Sequence, residues 1–109
     1  MRRPLRYLSY QLDLDESQRR RIAAVLDRVK VEREQSALDD KKMVGDLADL
    51  IEKPELSLSS LEDALTARVR STEQLSKTIA RGLSDIVEVL DPDQREEFAY
   101  LVRTGTFTI

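Results

Sequence analysis

The sequence predicts an all-α protein, and three observations carry that reading. Apolar residues recur at helical spacing along most of the chain. Helix-start signals stand in front of the apolar runs. Turn-forming residues are scarce: the 109 residues include three glycines and three prolines, too few to build many hairpins or β-turns. With 40% hydrophobic and 36% charged residues, the chain can form a core while turning much of its surface to water. One domain, or one protomer of a small assembly, is the expectation for this length.

The elements follow in order. Over about 4–12, Leu5, Leu8 and Leu12 share one helical face and Pro4 suits a first turn. A long helix over about 15–52 opens with Asp15, whose carboxylate can accept from a first-turn N–H, while Gln18 reaches back to the cap. Ile22, Val25, Leu26 and Val29 form an apolar stripe at its start, and Val44, Leu47, Leu50 and Ile51 form one at its end. The middle is sparser, interrupted by Arg33, Ser36 and Asp40. Gly45 is an interior glycine, tolerated at a cost of roughly 1 kcal/mol. Lys53-Pro54 ends the helix, because a residue before proline is pushed out of the α region.

A second long helix spans about 59–90. Ser57 or Ser59 caps it, and Ser59 with Glu62 suggests another capping box. Its apolar series is Leu61, Leu65, Val69, Thr72, Leu75, Ile79, Leu83, Ile86 and Leu90, a sustained helical period. Gly82 marks a close helix crossing. Asp91 caps a last helix over about 92–103, with Pro92 in its first turn and Gln94 closing the box. Phe98, Leu101 and Val102 are its inner face, Thr104-Gly105 ends it, and 104–109 is a short tail.

A 38-residue helix is roughly 57 Å long, whereas a compact 100-residue domain has a radius of gyration of about 13 Å. An elongated antiparallel helical hairpin with short terminal helices reconciles the two. One such pair leaves its apolar seam partly open to water. A second copy can close it, so a homodimer is expected.

The sharpest signal is an internal echo. Leu14-Asp15-Glu16-Ser17-Gln18-Arg19 and Leu90-Asp91-Pro92-Asp93-Gln94-Arg95 share the pattern L-D-x-x-Q-R. One copy opens the first long helix and the other opens the last helix. Both are good helix starts, which accounts for part of the likeness. This layout resembles the LTxxQ-motif family of bacterial envelope-stress and metal-resistance proteins, the Spy/CpxP-like periplasmic chaperones and their metal-sensing relatives. In that family two L-T-x-x-Q motifs bracket a long helical hairpin. The resemblance covers roughly Leu12 to Gly105. The chain departs from it by carrying Asp15 and Asp91 where the family has threonine; both residue types cap helices through a side-chain oxygen. Leu14, Asp15, Gln18, Leu90, Asp91 and Gln94 are thus matched as structural capping residues. The resemblance implies a cradle-like antiparallel homodimer, a binding role without catalysis, and a periplasmic location, with a cytoplasmic relative as the alternative.

Composition narrows the chemistry. Cysteine and histidine are both absent, which removes thiolate chemistry, the commonest soft-metal ligands and the usual neutral-pH base. No G-x-S-x-G, phosphate loop or dinucleotide fingerprint occurs, and no catalytic residue or cofactor site is expected. The net charge of −3 and 5% aromatic content argue against a nucleic-acid partner. Arg19-Arg20-Arg21 sits among Asp13, Asp15, Glu16 and Asp27 and reads as a solvated first turn. Residues 1–11 carry +3, from Arg2, Arg3 and Arg6, but the apolar stretch of a signal peptide does not follow. No run is long enough to span a membrane.

Three functions remain. The first is a chaperone-like cradle for unfolded client proteins, with Arg28, Val31, Arg33, Leu38, Lys41, Lys42 and Met43 on one long helix and Arg68, Arg70 and Lys77 on the other. Cations spaced among small apolar groups would attract acidic chains and hold them weakly. Residue by residue, a solvated helix face explains the same charges. The second is a heavy-metal sensor or resistance protein, for which the chain offers only Met1, Met43 and carboxylates such as Asp39-Asp40, Asp46-Asp49 and Glu96-Glu97; no metal site is expected. The third is a regulatory docking module for a stress-signalling system, with the basic N-terminal segment and Tyr7, Tyr10 and Tyr100 as contacts.

Overall fold

The computed structural model describes residues 3–109 and is helical, with four helices and no strand among the described residues. Met1 and Arg2 of the basic N-terminal segment lie outside the described residues. The helices are α1 (Arg3–Leu12), α2 (Glu16–Glu52), α3 (Leu58–Val89) and α4 (Pro92–Arg103). These bounds fall within a residue or so of those read from the sequence. Among the described residues, no helix is long and apolar enough to cross a membrane.

Helix ends follow local chemistry. α1 stops because Asp13 adopts a left-handed φ of 50°, and the Leu14 N–H then donates back to the Ser9 carbonyl at 3.1 Å, a Schellman-type closure. α4 stops at Thr104, followed by Gly105 at φ 75°. At the start of α3 the expected Ser59–Glu62 box does not form. Ser57 is the cap instead, with its Oγ accepting from the Ser60 N–H at 3.4 Å. The third helical position is then Ser60, whose side chain is too short to reach back to the cap.

Contacts divide the chain into two units. The first comprises residues up to Val29 together with Ile79–Ile109, and the second comprises Lys30–Thr78. The first unit holds the hydrophobic core. Leu5, Leu8 and Leu12 of α1 meet Ile22, Val25 and Leu26 of α2, Ile86 of α3, and Phe98 and Leu101 of α4, with Leu14 and Leu90 from the connections and Phe107 from the tail. Leu8, Ile22 and Ile86 are fully buried, each gaining roughly 1.5–3 kcal/mol over an exposed position. Phe107 of the tail packs on Phe98 with ring centroids 5.6 Å apart. Gly82 lies where α3 approaches α2: a Cβ there would stand 3.0 Å from Val25 Cγ1 and 3.4 Å from Val29 Cγ2.

The second unit is built differently. Its half-buried and buried positions on α2 are Glu32, Ser36, Asp39, Met43, Asp46, Leu47 and Leu50; on α3 they are Leu61, Ala64, Arg68, Ser71, Leu75 and Thr78, apart from Ser60 in the first turn. Leaving aside Leu47, which adjoins Asp46, the steps on both helices alternate between three and four residues, the 3.5-residue period of helices paired as a coiled coil. Ser36 is the single buried residue between 30 and 78. No apolar side chain in that range is buried.

Candidate functional site

The two halves of the L-D-x-x-Q-R echo meet in space, within the first unit. Each motif first builds its own helix start. Asp15 Oδ1 accepts from the Gln18 N–H at 2.8 Å, while the Asp15 N–H donates to Gln18 Oε1 at 3.0 Å. Asp91 and Gln94 repeat this geometry at 2.8 and 3.0 Å. The glutamine amides then pair with each other. Gln18 Nε2 donates to Gln94 Oε1 at 2.8 Å, and Gln94 Nε2 donates to Gln18 Oε1 at 3.2 Å. The second proton of each amide goes to a helix end: Gln18 Nε2 donates to the Val89 carbonyl at 2.8 Å, and Gln94 Nε2 to the Leu12 carbonyl at 3.0 Å.

Every donor and acceptor of both amides is thereby used. The carbonyls at the ends of α1 and α3, which those helices cannot satisfy themselves, gain partners. Each remaining motif position has a part. Leu14 and Leu90 are buried. Arg19 Nη1 donates to the Leu14 carbonyl at 2.7 Å, and Arg95 Nε to the Leu90 carbonyl at 3.2 Å. The motif is a clasp joining four helix ends, so the six residues matched as structural do structural work here. The sequence showed the two caps; that their glutamines pair is visible only in the fold.

The ten residues considered for a binding surface fall into two groups. Most of the cations are held by the chain's own groups. Arg28 pairs with Asp85 at 2.7 Å, Lys42 with Asp46 at 2.7 Å and Lys77 with Glu73 at 3.3 Å. Arg68 is half-buried; its Nη1 donates to the Ser36 carbonyl at 3.0 Å, to Ser36 Oγ at 2.9 Å and to Ser71 Oγ at 3.2 Å, and its Nε lies 3.4 Å from Asp40 Oδ1. It is a seam residue of the second unit. Arg33, Lys41 and Arg70 are exposed. Val31 and Leu38 are also exposed, whereas Met43 is half-buried. Met43, Lys42, Arg68 and Arg70 share an open hollow of about 350 Å³ with Asp39, Asp46, Ala64, Ala67 and Ser71.

Sequence reasoning gave no part to Ser71 or Gln35, and read Ser36 as a break in the apolar stripe and Asp39 as a helix-surface carboxylate. Ser71 Oγ donates to Asp39 Oδ2 at 2.6 Å, and Gln35 Nε2 donates to Asp39 Oδ1 at 2.9 Å. Those two hydrogen bonds, from Ser71 first and Gln35 second, hold the Asp39 carboxyl below its usual pKa. Lys42 is shifted up by its hydrogen bond and charge interaction with Asp46. The available signal was positional: Ser36, Asp39 and Ser71 occupy seam positions of the 3.5-residue repeat. Among the tyrosines, Tyr7 packs on the core while Tyr10 and Tyr100 are exposed. No cluster of three or more carboxylates is gathered as a metal site among the described residues.

What distinguishes the second unit as a surface is its open apolar side chains. Val31, Leu38, Val44, Ile51, Leu56, Leu58, Leu65 and Val69 are all exposed. Scattered single apolar residues are ordinary on a protein surface; here eight exposed ones lie in a segment that buries no apolar residue. Comparison with protein families, with curated proteins and with solved structures finds no match to this chain.

Proposed function

We propose that the chain is a non-catalytic protein-binding module of the envelope-stress and metal-resistance type. In this reading it is an antiparallel hairpin that works as a homodimer and holds unfolded or partner proteins without ATP, in the periplasm. One observation carries the binding role: residues 30–78 expose eight valine, leucine and isoleucine side chains and bury only Ser36. Such a segment leaves apolar surface for a weak, broad interaction, while the clasped core of the first unit supplies stability. The paired L-D-x-x-Q-R motifs support the family assignment, because their resemblance to L-T-x-x-Q pairs extends to the capping role.

The deciding experiment is aggregation of a chemically unfolded client followed by light scattering. Suppression near one-to-one stoichiometry is the expected result; no suppression at a large excess of the protein overturns the reading. Solution mass together with small-angle scattering tests the dimer. A monomer at every concentration removes that part.

A further inference from the structure

We infer that the end of the second unit, residues 46–65, is a docking patch for cationic amphipathic protein segments. The inference rests on the protein-binding reading above and adds the chemistry of the partner.

The apolar part comes first. Ile51, at the end of α2, is 67% exposed; Leu56 in the connection is 53%, and Leu58 and Leu65 on α3 are 70% and 48%. Leu58 and Leu65 lie seven residues apart, with half-buried Leu61 between them on the same face of α3. A leucine stripe with this spacing accepts the apolar face of an amphipathic helix.

The charges around it fix the partner's sign. The segment holds six carboxylates, Asp46, Asp49, Glu52, Glu55, Glu62 and Asp63, against Lys53 alone, a net charge of −5. Only Asp46 has a partner, Lys42. The other five carboxylates are exposed and make no hydrogen bond or ion pair among the described residues. The rest of the unit, residues 30–45 and 66–78, carries +2, and four of its cations are occupied by neighbouring carboxylates. The unspent charge beside exposed leucines is therefore negative. This reverses the preference for acidic chains that the cations suggest in the sequence. It also disfavours an anionic lipid surface, which the carboxylates would repel.

The test uses the full chain and two dye-labelled peptides with the same leucine face, one bearing lysine and the other glutamate at every polar position. Fluorescence anisotropy should show the lysine peptide binding about tenfold tighter or more, a gap that several exposed ion pairs supply together and that closes at high salt. The double variant Leu58→Asp/Leu65→Asp should lose binding of the lysine peptide while keeping its helical circular dichroism, since both side chains are exposed. The double variant Glu52→Lys/Glu55→Lys should erase the preference. Equal affinity for both peptides, a preference for the glutamate peptide, or binding that survives Leu58→Asp/Leu65→Asp overturns the inference. So does a self-dimer dissociated by Leu58→Asp/Leu65→Asp in sedimentation, which would give the patch to a second copy. Client protection without a charge preference sinks the inference alone, whereas absence of client protection sinks the broader function.

Discussion

The first unit buries twelve apolar side chains in one cluster, whereas the second buries none and keeps a serine at its most enclosed position. Both draw on the same two long helices, and both have regular helical periodicity. They differ in what fills the inward positions. In the first unit these are Ile22, Val25, Leu26 and Ile86. In the second they include Ser36, Asp39, Arg68 and Ser71, joined by hydrogen bonds. A hydrogen bond made on folding replaces one made to water and nets only about 1 kcal/mol, while apolar burial has no such exchange. One region is therefore a stable anchor. The other is held to a register by polar bonds and leaves its leucines and valines exposed.

The largest expected contrast comes from truncation. Ile22→Ala and Ile86→Ala should each destabilise by about 2–5 kcal/mol in urea denaturation, and Val69→Ala in the second unit should change stability by no more than about 0.5 kcal/mol. Similar losses at all three sites would erase the distinction between the units.

Removing the clasp comes next. Gln94→Ala leaves the Leu12 carbonyl and half of the Gln18 amide without partners, a cost of about 1–3 kcal/mol. Gln18→Ala should cost a similar amount, and the double variant clearly less than the sum, since the two amides serve each other. Strict additivity would show that they act as separate caps.

The interior glycines sharpen the comparison on a smaller scale. A Cβ at Gly45 meets nothing within 4 Å, so Gly45→Ala should stabilise by about 0.5–1 kcal/mol through helix propensity. Gly82→Ala should destabilise by about 1 kcal/mol or more, because Val25 must yield inside a packed core. A higher thermal midpoint for Gly82→Ala than for wild type would mean that the α2–α3 approach is looser than drawn.

The smallest effect is a pH response confined to the second unit. The folded-state pKa of Asp39 is depressed by Ser71 and Gln35. Its stabilising contribution is thus present above the unfolded carboxylate range near 3.8 and fades as pH falls through the lower folded value. Amide hydrogen exchange in residues 30–78 of wild type should quicken in that acid window relative to Asp39→Asn. The same acceleration in Asp39→Asn would assign the response to other carboxylates.

Much of the local structure was legible because capping and periodicity act over a few residues. Asp15 with Gln18 and Asp91 with Gln94 declared two helix starts, Lys53-Pro54 declared a stop, and Gly82 declared a crossing. Ser59–Glu62 misled because Ser57, two residues earlier, was an equally good cap, and where the chain enters a helix depends on its connection. Cations such as Arg28 and Arg68 read as free surface charge, since a linear sequence does not show which carboxylate or hydroxyl stands across from them.

By itself, the order of residues determined that this chain is helical, where its helices begin and end, and which faces of them are apolar, because those properties arise from contacts within about four residues. Only the tertiary structure decided that Gln18 and Gln94 grip one another, that Ser36 and not a leucine is enclosed, and that one apolar stripe is covered while another stays open. Those outcomes depend on groups far apart in the chain, brought together by tertiary packing in the first unit and by hydrogen bonds between α2 and α3 in the second.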